Sequence, residues 1–372
     1  MRDRCRAVPA ILFTGLAAIP FQTKAQDSSI ERLLSKLPPP ETLLKVWVQK
    51  PLPQNDPANE DPLAKRAIRA ANQGDLTLAL NSARALAARY PHSFGVQCLY
   101  GMIAWRAGLY REAEVAFRSA TAINPNAAYG HYGLALVEAS QGHYAAAIPH
   151  MKELARIDPD TAYLYYEMSE VALRAGHKQE SLDYARKTTE LAPSVWVAWI
   201  QLARAENAMG QSEATLKAIR KASEIAPDNA LVLALLGIGY NEVHRFAEAV
   251  PPLQKAAKLV HNVFLIEGEL GYSLEMTGQY DAAVDHLRRS VALNSNYGPG
   301  WEQLGLTYQT QGRHADSVKA YERATKLMPK SRLSWQHLAQ EYHALGRLAD
   351  AARAEANVGS APATSGLKKK KG

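Results

Sequence analysis

One interval governs this chain. Glycine stands at Gly74, Gly108, Gly142, Gly176, Gly210, Gly278, Gly312 and Gly346, and every interval is 34 residues or a multiple of it. The single gap in the series is filled by His244. Proline marks the same period 17 residues later, at Pro91, Pro125, Pro159, Pro193, Pro227 and Pro329. Small residues fall between them in phase, in one column at Ala79, Ala113, Ala147, Ala249, Ala283 and Ala351. A second column holds Gly101, Ala135, Ser169, Ala203, Gly237, Gly271, Gly305 and Ala339. A period held over that length without insertion or deletion leaves little choice but a stack of identical supersecondary units.

Each unit contains two stretches of 10–14 residues with helical apolar spacing. Trp301, Leu304 and Tyr308 mark the first helix of the eighth unit, and Val318, Tyr321 and Ala324 mark its second. The glycine ends the first helix, where a left-handed backbone is cheap only for glycine. The proline ends the second, because it cannot continue the hydrogen-bond ladder. The small columns let two antiparallel helices approach closely. Ser181, Thr215 and Ser317 interrupt the alanine column, and His261 and Ser295 the proline column. These departures are expected to loosen packing locally, and His244 to tilt its unit.

The columns resemble the tetratricopeptide repeat family. The eighth unit carries the pattern nearly in full, with Trp301, Leu304, Gly305, Tyr308, Gly312, Tyr321, Ala324 and Pro329. The second keeps Gly101, Gly108, Tyr110, Ala113, Phe117, Ala120 and Pro125, and the ninth Trp335, Leu338, Ala339, Tyr342, Gly346 and Ala351. The resemblance implies an all-α, right-handed superhelical solenoid of about nine helix-turn-helix units over residues 60–358. It also implies a concave groove, lined by the first helices, that holds an extended peptide or a partner helix.

Counting along each unit places Trp105, Arg106, Tyr129, Tyr132, Tyr163, Tyr166, Glu170, Arg174, Arg204, Asn207, Asn241 and Tyr272 on that groove. The N-terminal half is therefore expected to be aromatic with a few charges, and the C-terminal half polar. Tyr and Trp beside Arg is the composition of binding hot spots. Tyrosine is also common filler between packed helices. The repeat of Tyr129 and Tyr132 at Tyr163 and Tyr166 favours a peptide-binding patch, with Arg174 and Arg204 pairing to an acidic group of the ligand. The carboxylate-gripping subtype of the family uses Lys and Asn at two fixed positions. Here those positions read Cys98/Met102, Tyr132/Leu136 and Tyr166/Glu170, which argues against that subtype.

The sequence lacks HExxH, GxSxG and GxxxxGK[ST] motifs, and Gly237-Ile238-Gly239 falls inside a helix. His143 and His150, seven apart, are two ligands where zinc needs three or four, and read as surface. No catalytic residue, cofactor or metal is expected, and the chain is not expected to be an enzyme.

The ends differ in kind from the array. Arg2, Arg4 and Arg6 precede an apolar run from Ala7 to Phe21, and Thr23, Lys24 and Ala25 form a cleavage-like end. Residues 1–25 are thus expected to be a signal peptide cut after Ala25, with the protein exported to a periplasmic or extracellular space. The alternative is an uncleaved anchor. Cleavage would leave Cys98 as the single cysteine. Residues 26–59 are proline-rich, with Leu43, Leu44, Val46 and Trp47 apolar enough to cap the first repeat. Residues 359–372 read as a disordered tail carrying Lys368, Lys369, Lys370 and Lys371, able to touch an anionic surface weakly.

Net charge is +7 over 372 residues, a balance that first suggests nucleic acid or acidic membranes. The signal region and the lysine tail account for all of it, and residues 26–358 are balanced. Nucleic acid thereby loses its support as a partner. The expected function is a non-catalytic protein-interaction scaffold of the cell envelope. The alternatives are a structural accessory subunit of an envelope enzyme or of a secretion or assembly machine, and an oligomer built by end-to-end stacking.

Overall fold

The computed structural model describes residues 57–360. The signal region, the apolar residues of the expected cap and the lysine residues of the tail lie outside the described residues. A short 3-10 helix, Pro57–Glu60, leads into eighteen α-helices. In order these are α1 Pro62–Asn72, α2 Leu76–Arg89, α3 Phe94–Arg106, α4 Tyr110–Ile123, α5 Ala128–Ser140 and α6 Tyr144–Ile157. Next come α7 Ala162–Arg174, α8 Lys178–Leu191, α9 Trp196–Ala208, α10 Ser212–Ile225, α11 Ala230–Glu242 and α12 Phe246–Leu259. The last six are α13 Phe264–Met276, α14 Tyr280–Leu293, α15 Gly298–Thr310, α16 His314–Leu327, α17 Arg332–Ala344 and α18 Leu348–Ser360. No strand occurs among the described residues. The helices divide into two compact units, α1–α10 ending at Ile225 and α11–α18 beginning at Ala226. Each unit is an all-α stack of helix pairs, and α18 continues two residues beyond the expected end of the array.

Every pair is closed by the same turn. The eight periodic glycines all have positive φ, between 70° and 82°. The amide after each glycine bonds back five residues, as in Leu109 N to Ala104 O at 2.9 Å and Arg313 N to Tyr308 O at 2.9 Å. That bond and the left-handed residue together form the Schellman end of a helix. His244 does the same without being glycine. Its φ is 61°, and Arg245 N still reaches Tyr240 O at 2.9 Å. The histidine thus accepts the strained backbone, and the turn keeps the form it has at the glycines.

The small columns mark where helices touch. A Cβ added to Gly271 would stand 2.6 Å from Leu287 Cγ, and one on Gly305 would stand 3.0 Å from the Tyr321 ring. The departures from the alanine column also pack tightly. Ser181 and Ser317 are 0 % exposed and Thr215 1 %. Ser181 Oγ donates to Ser169 O at 2.8 Å while Ser169 Oγ donates to Ser181 O at 2.9 Å. Ser317 Oγ donates to Gly305 O at 2.9 Å and Thr215 Oγ1 to Gln211 O at 3.0 Å. At these three positions the expected loosening does not occur, because each hydroxyl finds a backbone carbonyl to bond.

Candidate functional site

The twelve groove candidates all sit on first helices: α3, α5, α7 and α9 in the first unit, α11 and α13 in the second. Their depths differ. Tyr132, Tyr163 and Tyr166 are only 2–4 % exposed, and Glu170 and Arg204 are equally buried. Trp105, Arg106, Tyr129 and Asn207 keep partial exposure, as does Tyr272 in the second unit.

The buried members form one polar cluster. Glu170 accepts hydrogen bonds from Arg174 Nε at 2.8 Å and from both terminal nitrogens of Arg204. Arg174 also donates to Tyr144 OH at 3.4 Å, with its guanidinium over the Tyr144 ring. Arg204 Nη1 reaches Gln201 Oε1 at 3.2 Å, and Gln201 Nε2 donates to Ser169 Oγ at 2.9 Å. Burial pushes the Glu170 carboxyl upward, but the two guanidiniums outweigh it and hold the group below its ordinary value. This corrects the expected role of Arg174 and Arg204: the acidic group they pair with is Glu170 of the same chain, so neither is open to a ligand's carboxylate. Glu167, 1 % exposed, lies in the same cluster. Burial first and the Glu167 charge second push the Tyr132 phenol above its ordinary range, and the same two causes act on Tyr163. These phenols are neutral, fixed packing groups.

The half-exposed members of the first unit are placed differently. Trp105 Nε1 donates to Ser140 Oγ at 2.8 Å, and Ser140 Oγ donates in turn to Leu136 O at 2.7 Å. The indole is thus locked in orientation while its ring stays partly open. Tyr129 retains some surface, although burial, followed by the nearby Cys98 and Tyr132, raises its phenol well above the usual range. Arg106, the last residue of α3, makes no ion pair or hydrogen bond with its side chain among the described residues, and its Nη1 is buried without a partner.

In the second unit Asn241 is committed internally. Its Nδ2 donates to Glu269 O and Oε2 at 3.2 and 3.1 Å, and its Oδ1 accepts from Ser273 Oγ at 2.8 Å. Tyr272 meets Phe246 edge-on at 5.4 Å, and Phe246 lies 5.7 Å from the His244 ring. Glu275 accepts from Gln303 on the next first helix, and burial raises its carboxyl despite that bond.

Sequence reasoning omitted Glu167, Gln201, Ser140 and Tyr144 from the site. Tyr144 begins a second helix, and Glu167 and Gln201 fall one residue past a groove position, so a count of groove positions does not reach them; Ser140, one period after Arg106, is on the count but carries neither ring nor charge. Reactive chemistry is poorly supplied. Cys98 is fully buried and burial pushes its thiol far above the range in which a thiolate forms. His143 pairs with Glu138 at 3.1 Å, whereas His150 has the ring of His131 as its neighbour, 6.2 Å away. Among the described residues no group of three or more His, Cys, Asp or Glu converges on one point. No described helix is long and apolar enough to cross a membrane.

A family model described as tetratricopeptide repeat matches residues 65–128, 101–162 and 303–363. Nothing in the curated set of proteins matches the chain. Among solved structures, the type IV pilus biogenesis factor PilW is 18 % identical, with a TM-score of 0.49, and covers 55 % of this chain and 95 % of its own. YrrB, described as a TPR protein with an unusual peptide-binding site, is 17 % identical, with a TM-score of 0.44 and coverage of 50 % and 95 %. A tetratricopeptide repeat protein from Parabacteroides merdae ATCC 43184 is 16 % identical, with a TM-score of 0.47 and coverage of 66 % and 97 %.

Proposed function

The chain is a tetratricopeptide repeat protein, and from that premise we propose that it is a non-catalytic scaffold of the cell envelope that binds an extended peptide or partner helix along the first helices of its N-terminal unit. One observation carries the reading. The partly open residues Trp105, Arg106 and Tyr129 stand in the same unit as a buried Arg–Glu–Arg cluster that holds its helices in register. A rigid support in the same unit as a few partly exposed aromatic and cationic side chains limits what binding must order. The site's chemistry suits recognition better than reaction: its thiol and phenols are protonated by burial, and its paired charges are committed to one another.

Export belongs to the same proposal and rests on the sequence of residues 1–25. Fractionation of producing cells with N-terminal sequencing of the product tests it. A protein beginning at Gln26 outside the inner membrane supports the envelope assignment, and an intact cytosolic chain removes it. For the scaffold reading, the full chain is immobilised and its captured partners are identified by mass spectrometry. A Trp105→Ala/Tyr129→Ala variant serves as the comparison. Loss of the captured set in that variant, with its melting temperature unchanged, supports the reading. An unchanged set places the interaction elsewhere.

A further inference from the structure

Three arginines lie among the groove candidates of the first unit, and only one has no counter-charge. Arg174 and Arg204 share Glu170. Arg106 stands two periods before Arg174, at the same place on its own first helix. What surrounds it is changed in two respects. The position that gives Arg174 its carboxylate, Glu170, is Met102 for Arg106, and the position that gives it the Tyr144 hydroxyl is Leu76. Both replacements are apolar: Met102 is 5 % exposed and Leu76 half-buried. Among the described residues the Arg106 side chain has neither an ion pair nor a hydrogen bond, and its Nη1 is shielded from water as well.

A guanidinium in that position is costly. It has surrendered part of its hydration and gained no acceptor in return. The C-terminus of α3 favours a cation there but neutralises none of it. Beside it the Trp105 indole has spent its only donor on Ser140, so what Trp105 can still offer a ligand is the apolar face of its ring. An orphaned fork of N–H donors one residue along the helix from an oriented apolar ring is complementary to a carboxylate flanked by an apolar side chain.

We propose that Arg106 is the anion-recognising residue of this protein, and that it takes the side-chain carboxylate of an Asp or Glu in an extended partner segment whose neighbouring apolar residue lies on Trp105. This rests on the peptide-binding reading above and narrows its partner to an acidic peptide. The carboxylate supplies Arg106 with what Glu170 supplies to Arg174.

The test begins with a displayed library of C-terminally amidated nonapeptides selected on the full wild-type chain. The tightest binder is resynthesised with a fluorescent label, together with its Asp→Asn or Glu→Gln analogue. Both are titrated by anisotropy against wild type, Arg106→Gln and Arg106→Lys. The acidic peptide is expected to bind wild type about tenfold more tightly than its amide analogue. Arg106→Gln should abolish that difference, with a melting temperature equal to or above wild type, since the variant removes an unneutralised buried donor. Arg106→Lys should keep part of it, as a point charge without the fork. Equal binding of the acid and amide peptides to wild type overturns the proposal and leaves the scaffold reading intact. So does a preference that survives in Arg106→Gln. A free-acid version of the amide analogue that regains the full affinity of the acidic peptide overturns it too, because the carboxylate recognised is then that of the chain end. Absence of any binder from the library removes the peptide-binding reading itself.

Discussion

His244 sits where the fold demands a left-handed residue, and it pays in backbone strain. For an L-residue that conformation costs roughly 1–2 kcal/mol, of which glycine's greater freedom in the unfolded chain returns part. His244→Gly should therefore raise stability by about 0.5–1 kcal/mol, read as a higher urea midpoint. A lower midpoint would mean that the ring contact with Phe246 outweighs the strain. The reverse case is Gly271, mid-helix against Leu287. A methyl group there meets the Leu287 Cγ at 2.6 Å and the backbone oxygen of Ala283 at 3.2 Å, and backbone cannot move aside cheaply. Helix propensity gives alanine about 1 kcal/mol over glycine. Overpacking should still win, so Gly271→Ala is expected to lose about 1–3 kcal/mol in the same assay. These two positions were readable in the sequence as column members, one kept and one broken. The sense of the break was not, because a column says which residue is favoured and not whether the backbone or the residue yields. The serines show the same limit: a hydroxyl in an alanine column looks like a flaw until its carbonyl partner is known.

Successive pairs are also tied at their joints by a recurring bond. In several repeats the side chain six residues after the proline column donates back to that column's carbonyl. Trp301 Nε1 meets Ser295 O at 3.0 Å, Trp335 Nε1 meets Pro329 O at 3.0 Å, Trp199 Nε1 meets Pro193 O at 2.9 Å, and Gln97 Nε2 meets Pro91 O at 3.1 Å. Where that residue is tryptophan it is thus more than apolar filler, since its donor fixes the entry of the first helix that carries it. Trp301→Phe keeps the bulk and removes the donor, and should cost about 0.5–1 kcal/mol in thermal stability. Between first helices the strong tie is Glu170 with its two arginines. Glu170→Ala leaves two buried guanidiniums without a counter-charge and is expected to cost about 3–5 kcal/mol at neutral pH. The pH dependence has a definite sign. The folded carboxyl is held below its ordinary value of 4.5, its own burial notwithstanding. Its stabilisation is therefore complete above that value and is lost as pH falls through the folded pKa. The gap in melting temperature between wild type and Glu170→Gln should accordingly narrow below about pH 4.5. If the gap is the same at pH 3 and pH 7, the charge of Glu170 is not what stabilises the cluster.

Within each unit a helix packs on its immediate neighbours in sequence and on little else, so stability should be a sum of local terms. The last helix feels this most. α18 packs chiefly on α17 among the described helices, whereas α14 lies between α13 and α15. Leu348, at the start of α18, is 66 % exposed. Amide exchange followed by mass spectrometry should therefore show α18 exchanging at least tenfold faster than α14. Comparable protection would point to a further element covering α18. The architecture was the most legible property of the chain, because a period of 34 residues fixes helix, turn and partner together. The site was less so. Counting places a side chain on a helix face, but its depth and partners depend on residues one or two periods away. Tyr163 lies on α7 and is walled in. Arg174 and Arg204 lie on first helices and are spent on Glu170, which sits four residues from one and 34 from the other. The unbroken spacing has one more consequence, and it is genetic. A recombination that removes or doubles 34 consecutive codons inside either unit rejoins helix to matching helix, and where tryptophan follows the joint, as at Trp301 and Trp335, its donor keeps a carbonyl in register. Such a chain can change the length of its binding surface in one heritable step, without passing through a misfolded ancestor.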